Sequence, residues 1–233
     1  MRILAIETAT IAASAAILDE NKLHGETYTD YKLKHSEKLL PLVEDLLRDL
    51  RLSMADMDLF AVSAGPGSFT GLRIGAATAK AFSHACQKPL MGVSTLEALA
   101  YGQPYFPGMI CPILDAQQNA VYSGQFRWEN GTLMRLGEDA AVPLPFLLER
   151  FTGEEPVLFC GDGVGKFREA ILESLGRRAR FAGPLTLYPR ASFVAVAALE
   201  KWKAGERGWD YHSFLPNYIR ASQAEVNYEV KLK

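Results

Sequence analysis

The sequence predicts an α/β protein laid out as two lobes, on three observations. Short apolar runs of strand length alternate with longer segments whose apolar residues recur at helical spacing. Each half opens on antiparallel strand patterns and goes on to strand and helix units. Between the halves, Gly102-Gln103-Pro104-Tyr105-Phe106-Pro107-Gly108 breaks regular structure with two glycines and two prolines. At 233 residues the chain suffices for one large domain or two small ones. The expected division is a first lobe over 1–103, a second over 104–190, a long helix over 191–205 returning to pack between the lobes, and a tail over 206–233.

In chain order, Ile3 to Ile6, Ile11 to Leu18 and Lys22 to Tyr31 read as an antiparallel meander, with Asp19-Glu20-Asn21 as a polar turn. His35 to Leu50 carries Leu39, Val43, Leu46, Leu47 and Leu50 at helical spacing, and Pro41 predicts a slight kink or a late start there. Leu59 to Val62 is an uninterrupted apolar strand. Gly65-Pro66-Gly67 then turns the chain into a helix from Phe69 to Cys86, capped by Ser68. That helix carries Gly71 and Gly75 on one stripe, continued by Ala79 and Ser83. Each interior glycine costs roughly 1 kcal/mol against alanine, so the stripe predicts an unusually close approach of another backbone. Packing within the fold and docking of a partner's helix both satisfy it; the wide apolar face of the preceding helix favours an interface that is partly intermolecular.

Leu90 to Val93 is a further strand, and Ser94-Thr95-Leu96-Glu97 a capping box opening a short helix to Tyr101. The second half offers strands at Ile110 to Leu114, Ala120 to Arg127 and Thr132 to Leu136, the last two joined by an Asn130-Gly131 hairpin turn. Pro145 to Phe151 reads as a helix, Val157 to Cys160 as a strand, Lys166 to Leu175 as a helix and Ala191 to Ala204 as the last helix. The tail from Asp210 to Lys233 has one apolar anchor, Phe214 to Arg220.

Composition removes several function classes. Twenty-seven acidic and twenty-five basic residues give a net charge of −2, unlike an autonomous nucleic-acid binder. Cys86, Cys111 and Cys160 are odd in number and sit in apolar surroundings, as small core residues of a reducing compartment do. The first residues carry no signal-peptide pattern and no run reaches membrane-spanning length, so the expected location is cytoplasmic. Gly161-Asp162-Gly163-Val164-Gly165-Lys166 fails as a phosphate loop at both Cys160 and Phe167. His24, His35, His84 and His212 form no metal-binding pair, and the serine of Gly67-Ser68-Phe69-Thr70-Gly71 stands one place too early for a nucleophile elbow. Glu7 and Asp115, at strand ends, are better placed for chemistry, although hydrogen bonding to nearby turns accounts for both and is the favoured reading. Ser68, the amides around it and Arg73 form an anion cradle in outline, although helix capping accounts for the same residues.

These stretches together resemble the TsaB (YeaZ) family over nearly the whole chain. The resemblance rests on Ile6-Glu7-Thr8-Ala9-Thr10, His35-Ser36-Glu37-Lys38-Leu39-Leu40-Pro41, the Gly65 to Gly75 motif, Val93 to Ala100, and Asp115-Ala116 with Val121-Tyr122. One departure is Gln117-Gln118, where the family usually has a basic residue. The resemblance implies a two-lobed actin-like ATPase fold, each lobe a mixed sheet flanked by helices. It further implies a pseudo-enzyme: Thr95 and Leu99 stand where the related catalytic subunit, TsaD, has its metal-binding histidines, and Glu7 and Ala9 where actin-like ATPases have Asp and Gly near the phosphates. The implied role is that of a scaffold subunit that binds TsaD, is joined by the ATPase TsaE, meets tRNA only through the complex, and pairs with itself when TsaD is absent. That complex transfers threonylcarbamoyl from its adenylate to the adenosine beside the anticodon. The expected partner interface comprises Ser36, Leu39, Leu40, Val43, Leu46, Leu47, Thr70, Gly71, Leu72, Gly75 and Ala79. Glu7, Thr8, Thr10, Gly67, Ser68 and Arg73 form a second, weaker candidate set for nucleotide or anion contact. No cofactor is expected to be held tightly by this chain, with ATP or ADP expected only at the joint with TsaD. The competing expectations are a metallopeptidase-like hydrolase and an independent actin-like ATPase.

Overall fold

The computed structural model describes residues 1–30, 35–208 and 210–219, and only the backbone of 35–37. The expected Tyr31, the side chain of Ser36 and the tail from 220 onward lie outside the described residues.

The first lobe is built on a five-stranded sheet. β1 (Arg2–Glu7), β2 (Ala13–Asp19) and β3 (Leu23–Thr29) form the antiparallel meander, and β4 (Leu59–Gly65) and β5 (Leu90–Ser94) add in parallel on the other side of β1, giving the order β3-β2-β1-β4-β5. Ile3 pairs with Leu59 and Ile6 with Val62 across the parallel joint. Because helices cover both faces, β1, β2 and β4 are apolar on both sides, while the edge strand β3 is more polar and only partly buried. Leu4, Ile6, Ala15, Ile17, Phe60 and Val62 point to one face, where α1 (His35–Leu50) and α2 (Phe69–Cys86) pack. Ile3, Ala5, Ala16, Leu18, Leu59 and Ala61 point to the other, against α6 (Ala191–Lys203). Four wholly buried alanines, Ala191, Ala195, Ala197 and Ala198, let α6 lie close to the strands. α1 runs unbroken through Pro41.

The second lobe holds β6 (Met109–Asp115), β7 (Ala120–Ser123), β8 (Phe126–Glu129), β9 (Thr132–Arg135), β10 (Ala140–Pro143), β11 (Val157–Cys160) and β12 (Ala179–Phe181), in the order β10-β7-β6-β11-β12, with β8 pairing β6 and β9. α4 (Leu144–Leu148) and α5 (Gly163–Leu175) pack on one face. The strand expected over Ala120 to Arg127 is two: β7 pairs with the end of β6 and β8 with its beginning, so the chain shifts along the sheet edge at Gly124-Gln125. Asn130 and Gly131 both have positive φ, 50° and 82°, as a two-residue hairpin turn demands. α5 starts three residues before the expected Lys166, at Gly163.

α3 (Thr95–Tyr101) lies between the lobes. Ala98 joins the core beneath α6, while Leu96, Leu99 and Ala100 pack with Ile110, Leu114 and Phe126 of the second sheet. The last helix does not take that place: α6 returns to the first sheet, and α3 fills the joint. Among the described residues no helix is long and apolar enough to cross a membrane.

Candidate functional site: the paired turns and the helix pair

Two turns meet at the end of the first sheet. β1 ends in Glu7 and turns through Thr8, Ala9 and Thr10, all buried; β4 ends in Gly65 and turns into α2. Gly67 (φ 158°) sits so close to the Ala9 carbonyl that a Cβ would fall under 3.0 Å from its oxygen, and the Ser68 amide donates to that oxygen at 2.7 Å. Ser68 Oγ accepts from the Gly71 amide at 3.3 Å, capping α2. Thr8 Oγ1 donates to the Gly71 carbonyl at 2.8 Å. A Cβ on Gly71 would collide with the Thr8 carbonyl oxygen, and one on Gly75 with the Thr8 hydroxyl, each under 3.0 Å. The close approach inferred from the glycine stripe is therefore to β1's turn, inside the chain.

This corrects the assignment of the interface residues. Gly71, Leu72, Gly75 and Ala79 are buried against the first lobe's own sheet and turn. Leu39, Val43, Leu46 and Leu47 are likewise buried on it, since α1's apolar stripe is consumed by the core. Of the expected set with described side chains, Leu40 (48% exposed) and Thr70 face outward. The outer stripe of α2 is instead Thr70, Arg73, Ala77 and Ala81, at spacings that keep them on one face. Residue spacing alone does not find it: both stripes carry small residues at helical spacing, Gly71, Gly75 and Ala79 on one and Ala77 and Ala81 on the other.

Of the anion set, the structure gathers Glu7, Thr8, Thr10, Gly67 and Ser68 at the paired turns and leaves Arg73 on the outer face, its guanidinium 3.9 Å over the Phe69 ring. The amides of Ala9 and Ser68 bond the Glu7 carboxyl and the Ala9 carbonyl. The Ser68 amide thereby ties the two turns to each other.

Glu7 is wholly buried, and desolvation pushes its carboxyl up to about 7 against the opposing hydrogen bonds from Ser63 Oγ and the Ala9 amide. A carboxyl raised on folding stabilises the native state while both states are protonated and loses that advantage as pH rises. Stability should fall between about pH 4.5 and 7 by on the order of 3 kcal/mol and level off above. In Glu7→Gln, whose amide mimics the protonated acid, urea midpoints should be flat across that window; a wild-type-like slope in the variant would assign the effect elsewhere.

In the second lobe, Asp115 ends β6, accepts from the Gln117 amide at 2.9 Å and pairs with Lys166 at 3.1 Å. Gln117, Gln118 and Asn119 all have positive φ, so the departure from the family's basic residue falls in a tight left-handed turn, and the cation at this corner comes from α5. Thr95 and Leu99 are wholly buried, and among the described residues no cluster of three or more His, Cys, Asp or Glu is arranged to hold a metal.

The tail crosses this region. Phe214 fills the niche over Gly92, Lys80 Nζ donates to its carbonyl at 3.0 Å, the Asn217 amide donates to Ala64 O at 2.6 Å, and Tyr218 packs on Phe69 at 4.8 Å. Gly65 (φ 109°) has no room for a side chain because a Cβ would meet Asn217 O at 2.5 Å.

Comparison with known proteins fits this architecture. Residues 28–228 match the family model of TsaD, tRNA N6-adenosine threonylcarbamoyltransferase. A Bacillus subtilis protein named tRNA threonylcarbamoyladenosine biosynthesis protein TsaB is 34% identical over 229 residues, covering 98% of each chain. The crystal structure of YeaZ from Pseudomonas aeruginosa superposes with a TM-score of 0.77 at 28% identity, covering 93% of this chain and 99% of that one. A ROK hexokinase from Thermus thermophilus, at 13% identity and a TM-score of 0.50 over 88% of this chain and 100% of its own, shares the two-lobed actin-like fold. With both sheets, the paired turns and nearly full-length similarity in agreement, the chain belongs to the TsaB (YeaZ) family.

Proposed function

We propose that this chain is a non-catalytic subunit in the formation of threonylcarbamoyladenosine on tRNA, acting by binding a TsaD protein through the outer faces of α1 and α2. The observation that carries the proposal is the outer stripe of α2, where the small residues Ala77 and Ala81 are exposed on the same face as Thr70 and Arg73, with Leu40 of α1 exposed as well. Small residues let a second helix pair approach closely, giving a four-helix contact with TsaD or, in its absence, with a second copy. The non-catalytic reading is supported by the inward use of the turn amides and by Thr95 and Leu99 at the metal-pair positions. TsaE joins the pair, tRNA is met through the complex, and any ATP or ADP is held at the joint with TsaD.

The test is reconstitution of threonylcarbamoyl transfer to tRNA from the adenylate with TsaD and TsaE, with and without this chain. Modified adenosine should accumulate over repeated turnovers only when the chain is present. Undiminished product without it, or ATP hydrolysis by the isolated chain well above background, would overturn the proposal.

A further inference from the structure

We infer that α3 bolts the two lobes into one rigid unit, so that they do not open and close against each other as the lobes of an enzyme of this architecture would. Domains joined by small polar interfaces are expected to move, and hinge closure needs an interface that can be remade. Here the joint is a shared helix with an apolar face in each lobe's core: Leu96, Leu99 and Ala100 are fully buried on the second sheet's side, and Ala98 on the first's.

Side chains hold both ends of that helix across the joint. At its start, Ser94 Oγ accepts from the Glu97 amide at 3.2 Å and donates to Asp139 Oδ2 at 2.5 Å. The Asp139 side chain is only 8% exposed and is also paired with Arg135. Arg135 reaches on to Glu97 at 3.5 Å, and Glu97 is met from α6 by Lys201 at 3.7 Å. The expected capping box is thus only half formed: the serine caps, while the glutamate is drawn off into a bridge between lobes. After the helix, Gln103 is held by Thr186 through its side-chain amide, Nε2 to O at 2.7 Å and Oγ1 to Oε1 at 3.2 Å, and its carbonyl accepts from Trp128 Nε1 at 2.9 Å. Opening the joint would strip partners from the largely buried Asp139 and Gln103, an unfavourable change that a freely moving hinge avoids.

This inference stands apart from the choice of partner, because it concerns how the lobes are held and not what they bind. The experiment places nitroxide labels at Lys22→Cys and Glu173→Cys, exposed sites one in each lobe, in a Cys86→Ser background, and reads the distance distribution by pulsed dipolar spectroscopy in the full chain. One narrow distance is expected, unchanged by saturating Mg-ATP. Adding Arg135→Gln with Asp139→Asn should at least double its width or split it, while circular dichroism stays that of the parent; if that pair of changes unfolds the chain, Asp139→Asn alone is used. A parent distribution that is already split or that shifts with Mg-ATP would overturn the inference, as would a folded variant as narrow as the parent.

Discussion

Gly71→Ala is expected to destabilise the chain by about 3 kcal/mol or more, and Gly71→Leu to prevent folding. The new Cβ would fall under 3.0 Å from the Thr8 carbonyl oxygen, a clash with a backbone atom that no rotamer change can move aside. Thr8 is fixed further because its hydroxyl donates to the Gly71 carbonyl. Relief would have to come from separating α2 from β1's turn, which also breaks the bond from the Ser68 amide to Ala9. Urea unfolding followed by circular dichroism measures the loss. A Gly71→Ala midpoint equal to wild type would mean that α2 does not seat on the turn, and the glycine stripe would again be free to serve a partner.

The double substitution Ala77→Glu with Ala81→Glu should leave the fold intact and weaken association with TsaD by about 100-fold, roughly 2.7 kcal/mol. Both positions are exposed, and alanine to glutamate costs only a few tenths of a kcal/mol in a helix. Two carboxylates on a close-packed helical face must be desolvated without a partner when the surfaces meet, and their bulk holds the helices apart. Sedimentation of the chain mixed with TsaD reads the result, with the unfolding midpoint of the isolated chain as control. Undiminished association would remove α2's outer face from the interface.

Much of this architecture was legible in the sequence because its elements announce themselves locally. The α2 helix spans Phe69 to Cys86 as expected, since the glycine turn and the Ser68 cap mark its start and Gln87 (φ 52°) takes the left-handed conformation at its end. The α/β class and the two lobes were legible in the residues, and the actin-like fold only through the family resemblance. β10 and β12 were not legible: Ala140–Pro143 and Ala179–Phe181 are short and weakly β-forming, and the register of their neighbours makes them strands. The candidate site was legible in its residues and not in its direction. Periodicity groups Gly71, Gly75 and Ala79 on one face, but which face is inside depends on where Thr8 comes to rest, 63 residues away in the chain. The hold of Asp139 on Ser94 has no local signal, because it joins residues 45 apart on different lobes.

The position of α6 gives the chain a particular order of assembly. β1 and α6 belong to the same lobe, so the second lobe is an insertion within the first, entered after α3 and left before Ala191. One face of the first sheet, with Ile3, Ala5, Leu18, Leu59 and Met91, has only Ala98 and Tyr101 of α3 against it until α6 arrives with Ala191, Val194, Ala195, Ala197, Ala198 and Leu199. During synthesis, that face stays open to water, or to a chaperone, until the whole second lobe has been made.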